Sequence, residues 1–264
     1  MRVFIKGVTE YVAVRGCLLA WGLLLCGASA FACVKGEALA PVLSSSLPKP
    51  MFAVPDVYPW GYIDEQGVKQ GLLPNFYNYL SQQTTIEYTG LMLPYPRIVH
   101  NLQRGIIDFG VLMDDQTYLN VEKVGKVVDL DVLVVTRADA EPITTVADLA
   151  GKHVGFLRGW QTATTFFSEH KVKGVQVNTI NQGLAMLLSG RIDAMTGTTY
   201  SIPSAAKALG ANAAKLRFSF TLGMGSMSLY MVKNSKHAAL LPVYQQAIDC
   251  IDQEQAQTLF GKTE

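Results

Sequence analysis

Arg158-Gly159-Trp160-Gln161-Thr162 is the stretch in which this 264-residue sequence offers a ligand the most. It stands just before a helical pattern. The free backbone N–H groups of that helix's first turn, with Gln161 and Thr162, can receive an anion or a carbonyl oxygen. Arg158 adds charge and Trp160 a flat apolar face. Arg97 opens a second helix, where its charge opposes the macrodipole and calls for a partner, either a ligand anion or a nearby carboxylate. Asp114 and Asp115 follow Met113 at a strand end, where they can receive an ammonium group or stand solvated. Trp60, Tyr62, Tyr95 and Tyr200 fall in turns and element ends near the same place, and Thr198 closes another strand. A cleft lined by aromatics with few charges suits a flat, apolar or cationic ligand, held by stacking or cation–π contacts worth roughly 0.5–2 kcal/mol each. Any one of these aromatics, taken singly, reads equally well as packing.

Other chemistry is sparse. His100, His153, His170 and His237 are scattered without metal-ligand spacing, and no C-x-x-C occurs, so neither a metal nor another cofactor is expected. Gly223-Met224-Gly225-Ser226-Met227 fails the nucleophile-elbow pattern, and its extension to Ser228 lacks the last glycine of a dinucleotide fingerprint. The formal charge of +1 carries no basic concentration of the kind that nucleic acid requires.

The elements that must position these residues are announced by a repeat. Leu102-Gln103-Arg104-Gly105-Ile106-Ile107-Asp108 is echoed by Leu187-Leu188-Ser189-Gly190-Arg191-Ile192-Asp193. In each copy an apolar periodic stretch reads as helix, the glycine as its left-handed terminator, and the following β-rich run as strand, over 106–113 and 192–196. A helix feeding a buried strand is half a βαβ unit. Two copies therefore predict two parallel-sheet lobes, with ligands at the carboxyl ends of the strands. Around them the patterning predicts a first strand at 51–57, a hairpin at 63–68, helices at 72–83, 144–149, 161–170 and 202–209, and strands at 85–93, 154–157 and 175–180. A long apolar strand at 127–136 crosses between lobes, a strand at 228–232 returns, and closing helices span 237–260.

The chain opens as a secretory signal. Arg2, Lys6 and Arg15 precede or flank a short apolar run from Cys17 to Leu25, and Ala28-Ser29-Ala30 or Ala30-Phe31-Ala32 forms a cleavage site. That run is well short of the roughly 20 residues needed to span a bilayer. Removal of 1–30 takes away three basic residues and Glu10, moving the formal charge from +1 to −1. A linker over 31–50 follows. The fold is then expected as lobe one over 51–135 plus 228–264 and lobe two over 136–227, hinged near 136–139 and 222–228. Cys33 and Cys250 remain after processing, free to pair or not. Ala32-Cys33 also approximates a lipid-attachment site, although Ala30 stands where leucine is usual.

Taken in order, Gly61-Tyr62-Ile63-Asp64-Glu65-Gln66-Gly67, Pro94-x-Pro96-Arg97, Gly105-x-Ile107-Asp108, Asp148-Leu149-Ala150-Gly151-Lys152-x-Val154-Gly155 and Gly190-Arg191-Ile192-Asp193-Ala194 resemble the periplasmic solute-binding proteins of the polar amino acid uptake type, extracellular solute-binding family 3. The resemblance spans essentially the whole processed chain. It implies an α/β architecture of two Rossmann-like, hinged lobes with mixed, mostly parallel sheets, the type II periplasmic-binding fold. It further implies a monomer that closes on a small molecule and presents it to an ABC-type importer or to a membrane receptor. Three departures bear on the ligand. Gly71 is followed by Leu72-Leu73-Pro74-Asn75 rather than by the family's acids. No Arg or Lys lies between Met113 and Lys123 to pair with an α-carboxylate. Thr198 stands about where an aspartate receives the α-ammonium. These losses argue against an ordinary α-amino acid held in the ordinary way. The same family contains cyclohexadienyl dehydratases, so an enzyme is one alternative; an assembly partner with a vestigial cleft is another.

Overall fold

A computed structural model describes residues 47–261. The expected signal, most of the linker and Cys33 lie outside the described residues. Cys250 is disulfide-bonded. No helix among the described residues is long and apolar enough to cross a membrane.

Each copy of the repeat sits in the same β-α-β-α-β unit. In the first, β1 (Met51–Pro55) leads through α1 (Leu72–Thr84), β4 (Thr89–Leu93) and α2 (Tyr95–Gln103) to β5 (Phe109–Met113). A small hairpin, β2 (Tyr62–Ile63) with β3 (Lys69–Gln70), is inserted after β1. In the second, β7 (His153–Leu157) leads through α3 (Gln161–Glu169), β8 (Lys173–Val177) and α4 (Ile180–Leu188) to β9 (Ala194–Thr198). Two long strands, β6 (Val121–Arg137) and β10 (Leu216–Val232), pair antiparallel with each other. Helix α5 (Ser201–Ala208) precedes β10, and α6 (Leu241–Asp249) and α7 (Gln253–Phe260) follow it.

The eight-stranded sheet runs β4-β1-β5-β10-β6-β9-β7-β8. Read from either end, the order is the same pattern: the outer three strands of each unit are parallel, and a long strand of opposite direction lies inside them. The α/β class and the periplasmic-binding architecture expected from the sequence are thus realised.

The repeat explains its own residues. Gly105 and Gly190 end their helices at φ +68° and +72°, the left-handed region that only glycine enters without cost. The leucines that open the motif, Leu102 and Leu187, and the isoleucines before its aspartates, Ile107 and Ile192, are buried. Each motif aspartate pairs with the first residue of the neighbouring strand. The Met51 N–H donates to Asp108 Oδ2 and the His153 N–H to Asp193 Oδ2, both at 2.8 Å. The two aspartate N–H groups return bonds to the Met51 and His153 carbonyls.

Apolar packing divides along the same line. Two clusters lie on β1, β5, α1, α2 and the closing helices, gathered around Phe52, Phe109 and Tyr244 and around Ile98, Leu102 and Leu112. Two more lie on β7, β9, α3, α4 and α5, around Phe156 and Phe167 and around Leu184 and Met195. Element boundaries moved by a few residues where local chemistry decided them. The strand expected at 175–180 occupies Lys173–Val177, because Thr179 caps α4 by accepting the Gln182 N–H at 3.0 Å. The helix expected at 144–149 is a single 3-10 turn, Ala147–Leu149.

Candidate functional site

The strands' carboxyl ends and the helix starts beyond them meet around one pocket. Pro55 ends β1, Met113 ends β5, Leu157 ends β7, and Thr196 to Thr198 end β9; Tyr95, Ile180 and Ser201 open α2, α4 and α5. These residues line it together with Val57, Trp60, Val132, Arg158, Trp160 and Met227. Both repeat units thus contribute walls, as the crossover topology dictates for a sheet of this kind. Its volume, about 90 Å³, is small beside the roughly 300–1,000 Å³ of drug-sized ligand sites.

The pocket's aromatics tie the two units together. Trp60 is 5% exposed, and its ring lies 5.1 Å from that of Tyr200, tilted by 58°. Trp160 packs on the core of the first unit and on that of the second. Gly159 adds a third contact. It is held at φ +90°, and a Cβ there would stand 2.7 Å from Pro96 Cγ, so the loop before α3 can lie against the start of α2 only because it carries no side chain.

Most polar groups in the wall are already committed. The Met113 N–H donates to the Tyr95 hydroxyl at 3.1 Å, and that hydroxyl lies 3.3 Å from Tyr118 Oη. Burial pushes the Tyr95 phenol up to about 12, tempered by its bonds to Tyr118 and Met113, so it stays protonated. Thr198 and Ser201 satisfy each other: the Ser201 N–H donates to Thr198 Oγ1, and the Thr198 N–H and hydroxyl both donate to Ser201 Oγ. The Thr196 hydroxyl donates to the Gly155 carbonyl at 2.9 Å. Two groups are left over. Trp160 Nε1 is buried without a hydrogen-bond partner, and the Arg158 side chain bonds to none of the described residues.

Of the residues singled out from sequence, Trp60, Tyr95, Met113, Arg158, Trp160 and Thr198 come together at the pocket, and Tyr200 stands behind Trp60. Gln161 and Thr162 begin α3 immediately after Trp160. Three lie elsewhere. Tyr62 lies on the hairpin beside Tyr58 with ring centroids 5.0 Å apart and planes tilted by 56°, Arg97 is exposed on α2, and Gly159 serves the loop packing just described.

Asp114, which the sequence left as an ammonium acceptor or a solvated carboxylate, is neither free nor solvated alone. Ser226 and Ser228 donate to its Oδ2 at 2.7 Å, Tyr230 to its Oδ1 at 2.7 Å, and Lys123 Nζ lies 2.7 Å away. Burial raises this carboxyl, and those four donors together outweigh burial and hold it below the usual carboxylate range. Asp114 therefore fastens β5 to β10, where the two units join. Asp115 accepts from the Tyr118 hydroxyl. The wall residues that sequence reading missed, such as Val132, Ile180 and Met227, are apolar positions inside strands or helices. Their patterning is that of any core residue.

The pattern described as NMT1/THI5 like matches residues 98–226, just under half of the chain. No curated protein matches the sequence. Solved structures match the fold over most of their length. The periplasmic VFT2 domain of Bordetella pertussis BvgS superposes with a TM-score of 0.66 at 17% identity, covering 82% of this chain and 94% of that domain. An arginine-binding protein mutant from T. maritima gives 0.65 at 18%, covering 80% and 92%. An ancestral arginine-binding protein bound to arginine gives 0.67 at 17%, covering 80% and 96%. At this identity the likeness shows architecture alone, and the architecture of this chain is the type II periplasmic-binding fold.

Proposed function

We propose that this chain is an exported solute-binding protein that closes its two repeat units over a small molecule and presents the closed form to a membrane importer or sensor. The single observation that carries this reading is the pocket built by strand ends of both units and bridged by Trp60, Tyr200 and Trp160. Its division falls at 51–135 plus 228–264 for one lobe and 136–227 for the other. β6 and β10 serve as the hinge strands, since hinge closure of this kind concentrates its change in a few residues at element junctions.

Three further points support it. The disulfide at Cys250 suits an oxidising compartment such as the periplasm. Among the described residues, the lining holds no carboxylate, imidazole or thiol to act as general acid, base or nucleophile, which favours capture over catalysis. Neighbours of the same fold are named as arginine-binding proteins and as a periplasmic domain, which supports capture of a small molecule in the periplasm. With Asp114 occupied and no basic residue between Met113 and Lys123, the ligand is not an α-amino acid gripped at both ends.

A thermal-shift screen over amino acids, amines, carboxylates, aromatic acids and nucleobases tests the reading, followed by titration calorimetry and small-angle scattering. A true ligand present at one hundred times its Kd adds roughly 2.7 kcal/mol of stability, binds one to one without turnover, and compacts the particle. Unchanged melting across the whole panel, or product formation from a bound compound, overturns it.

A further inference from the structure

We infer that the pocket takes a small monocarboxylate with an apolar body, its carboxylate held by the Arg158 guanidinium; this rests on the ligand-capture reading above. The argument proceeds by subtraction. The hydroxyls of Tyr95, Thr196, Thr198 and Ser201 and the Met113 N–H are bonded within the protein, so they make no demand on a ligand. The remaining wall is aliphatic, aromatic or thioether: Pro55, Val57, Trp60, Val132, Ile180 and Met227.

Arg158 lines this wall and is a donor that has no capacity to accept. A ligand must therefore bring acceptor oxygens. Arg158, with no acidic residue lining the pocket beside it, selects for a negative charge on them. Helix α3 starts directly after Trp160, without a side-chain cap and without an acidic residue in its first turn, so its positive end faces no competing anion of its own. An ammonium group would find no counter-charge in the lining and would be repelled by Arg158.

A pocket volume of about 90 Å³ favours a small body.

The experiment is calorimetric titration of the full processed chain with 3-methylbutanoate and with benzoate, each against its neutral amide and its amine. L-arginine and L-glutamine are run alongside. The carboxylates are expected to bind, the amides to bind about tenfold more weakly, and the amines not to bind, because a charge-assisted bond to Arg158 is lost or reversed. Arg158→Gln is expected to lower carboxylate affinity about tenfold or more without lowering the melting temperature, since Arg158 is exposed and bonded to no described side chain. Tighter binding of an amine, an amide or an amino acid, or carboxylate binding indifferent to Arg158→Gln, overturns the ligand class and leaves the capture reading standing. Absence of binding by every compound, including those of the wider screen, overturns both.

Discussion

The two copies of L-x-x-G-x-I-D perform the same backbone task in very different surroundings. Asp108 and Asp193 each accept the first N–H of the adjoining parallel strand at 2.8 Å and return their own N–H to its carbonyl. Each also has an imidazole nearby: His237 Nε2 lies 3.9 Å from Asp108, and His153 Nδ1 lies 3.7 Å from Asp193. Beyond that the resemblance stops. The Asp108 side chain is 10% exposed and that of His237 1%, against 45% for Asp193 and 52% for His153. The cause is what covers them. After β10 the chain turns over Asp108 through Ser235, whose hydroxyl donates to Asp108 Oδ1 at 3.3 Å, and continues into α6. No element follows β9 and β6 in the same way. A shared local device thus fixes register in both units, and its contribution to stability is set by how far water is kept from it.

The sharpest way to break that comparison is to delete the two aspartates in parallel. Asp108→Ala leaves the Met51 N–H and the Ser235 hydroxyl without their acceptor in a buried place, and is expected to cost about 2–4 kcal/mol. Asp193→Ala exposes the His153 N–H to solvent that can replace the lost bond, so about 1 kcal/mol is expected. Urea melts of both variants give the ratio. Equal losses would mean that burial does not govern what the motif is worth.

The motif and its consequences were legible because they rest on local rules: a positive-φ glycine, a 3.6-residue period before it and a β-rich run after it. The aromatic turns were legible as well, since Trp60, Tyr95 and Trp160 sit where strand ends had to point. Allocation of hydrogen bonds was not. Nothing in the order of residues says that Ser226, Ser228 and Tyr230 will converge on Asp114 from β10, or that Tyr95 will cover the Met113 N–H, because those partners are brought together only by the pairing of β5 with β10. The ligand chemistry lay in that allocation, in which groups stayed unpaired. For Gly159 the type was noticed and the reason was not: its neighbour across the cleft, Pro96, is distant in sequence.

A smaller effect sharpens the same comparison from the backbone side. Gly105→Ala and Gly190→Ala both force an L-residue to φ near +70°, a cost of about 1–2 kcal/mol. The added methyl meets different neighbours. At Gly105 it would stand 3.7 Å from Val232 Cγ2, an ordinary contact; at Gly190 it would stand 3.2 Å from Arg137 Nη1, the movable end of a long side chain. Similar losses are therefore expected in both units, measured by the same melts, in contrast to the unequal aspartates. A markedly larger loss at one glycine would show that packing there, and not conformation, decides the cost.

The smallest effect expected is a dependence on pH at the first copy. Burial lowers the affinity of His237 for a proton; the Asp108 carboxylate opposes this, and the Lys236 charge adds to it. Its folded-state value therefore lies below the unfolded one. Above the unfolded value both states carry a neutral imidazole and the group contributes nothing. As pH falls through that value, the unfolded chain takes up a proton that the folded chain refuses, and stability drops until the folded value is reached. One proton bounds the slope at about 1.4 kcal/mol per pH unit. His237→Leu fills the same buried place without a titrating group, and it also removes two ring nitrogens that have no hydrogen-bond partner. Melting temperatures of the variant and the parent chain, compared at pH 7.5 and pH 5, are expected to diverge on the acid side, with the parent losing more. A constant difference between the two chains at both pH values would mean that His237 titrates alike folded and unfolded, and that enclosure of the first copy excludes water from Asp108 without extending to its imidazole.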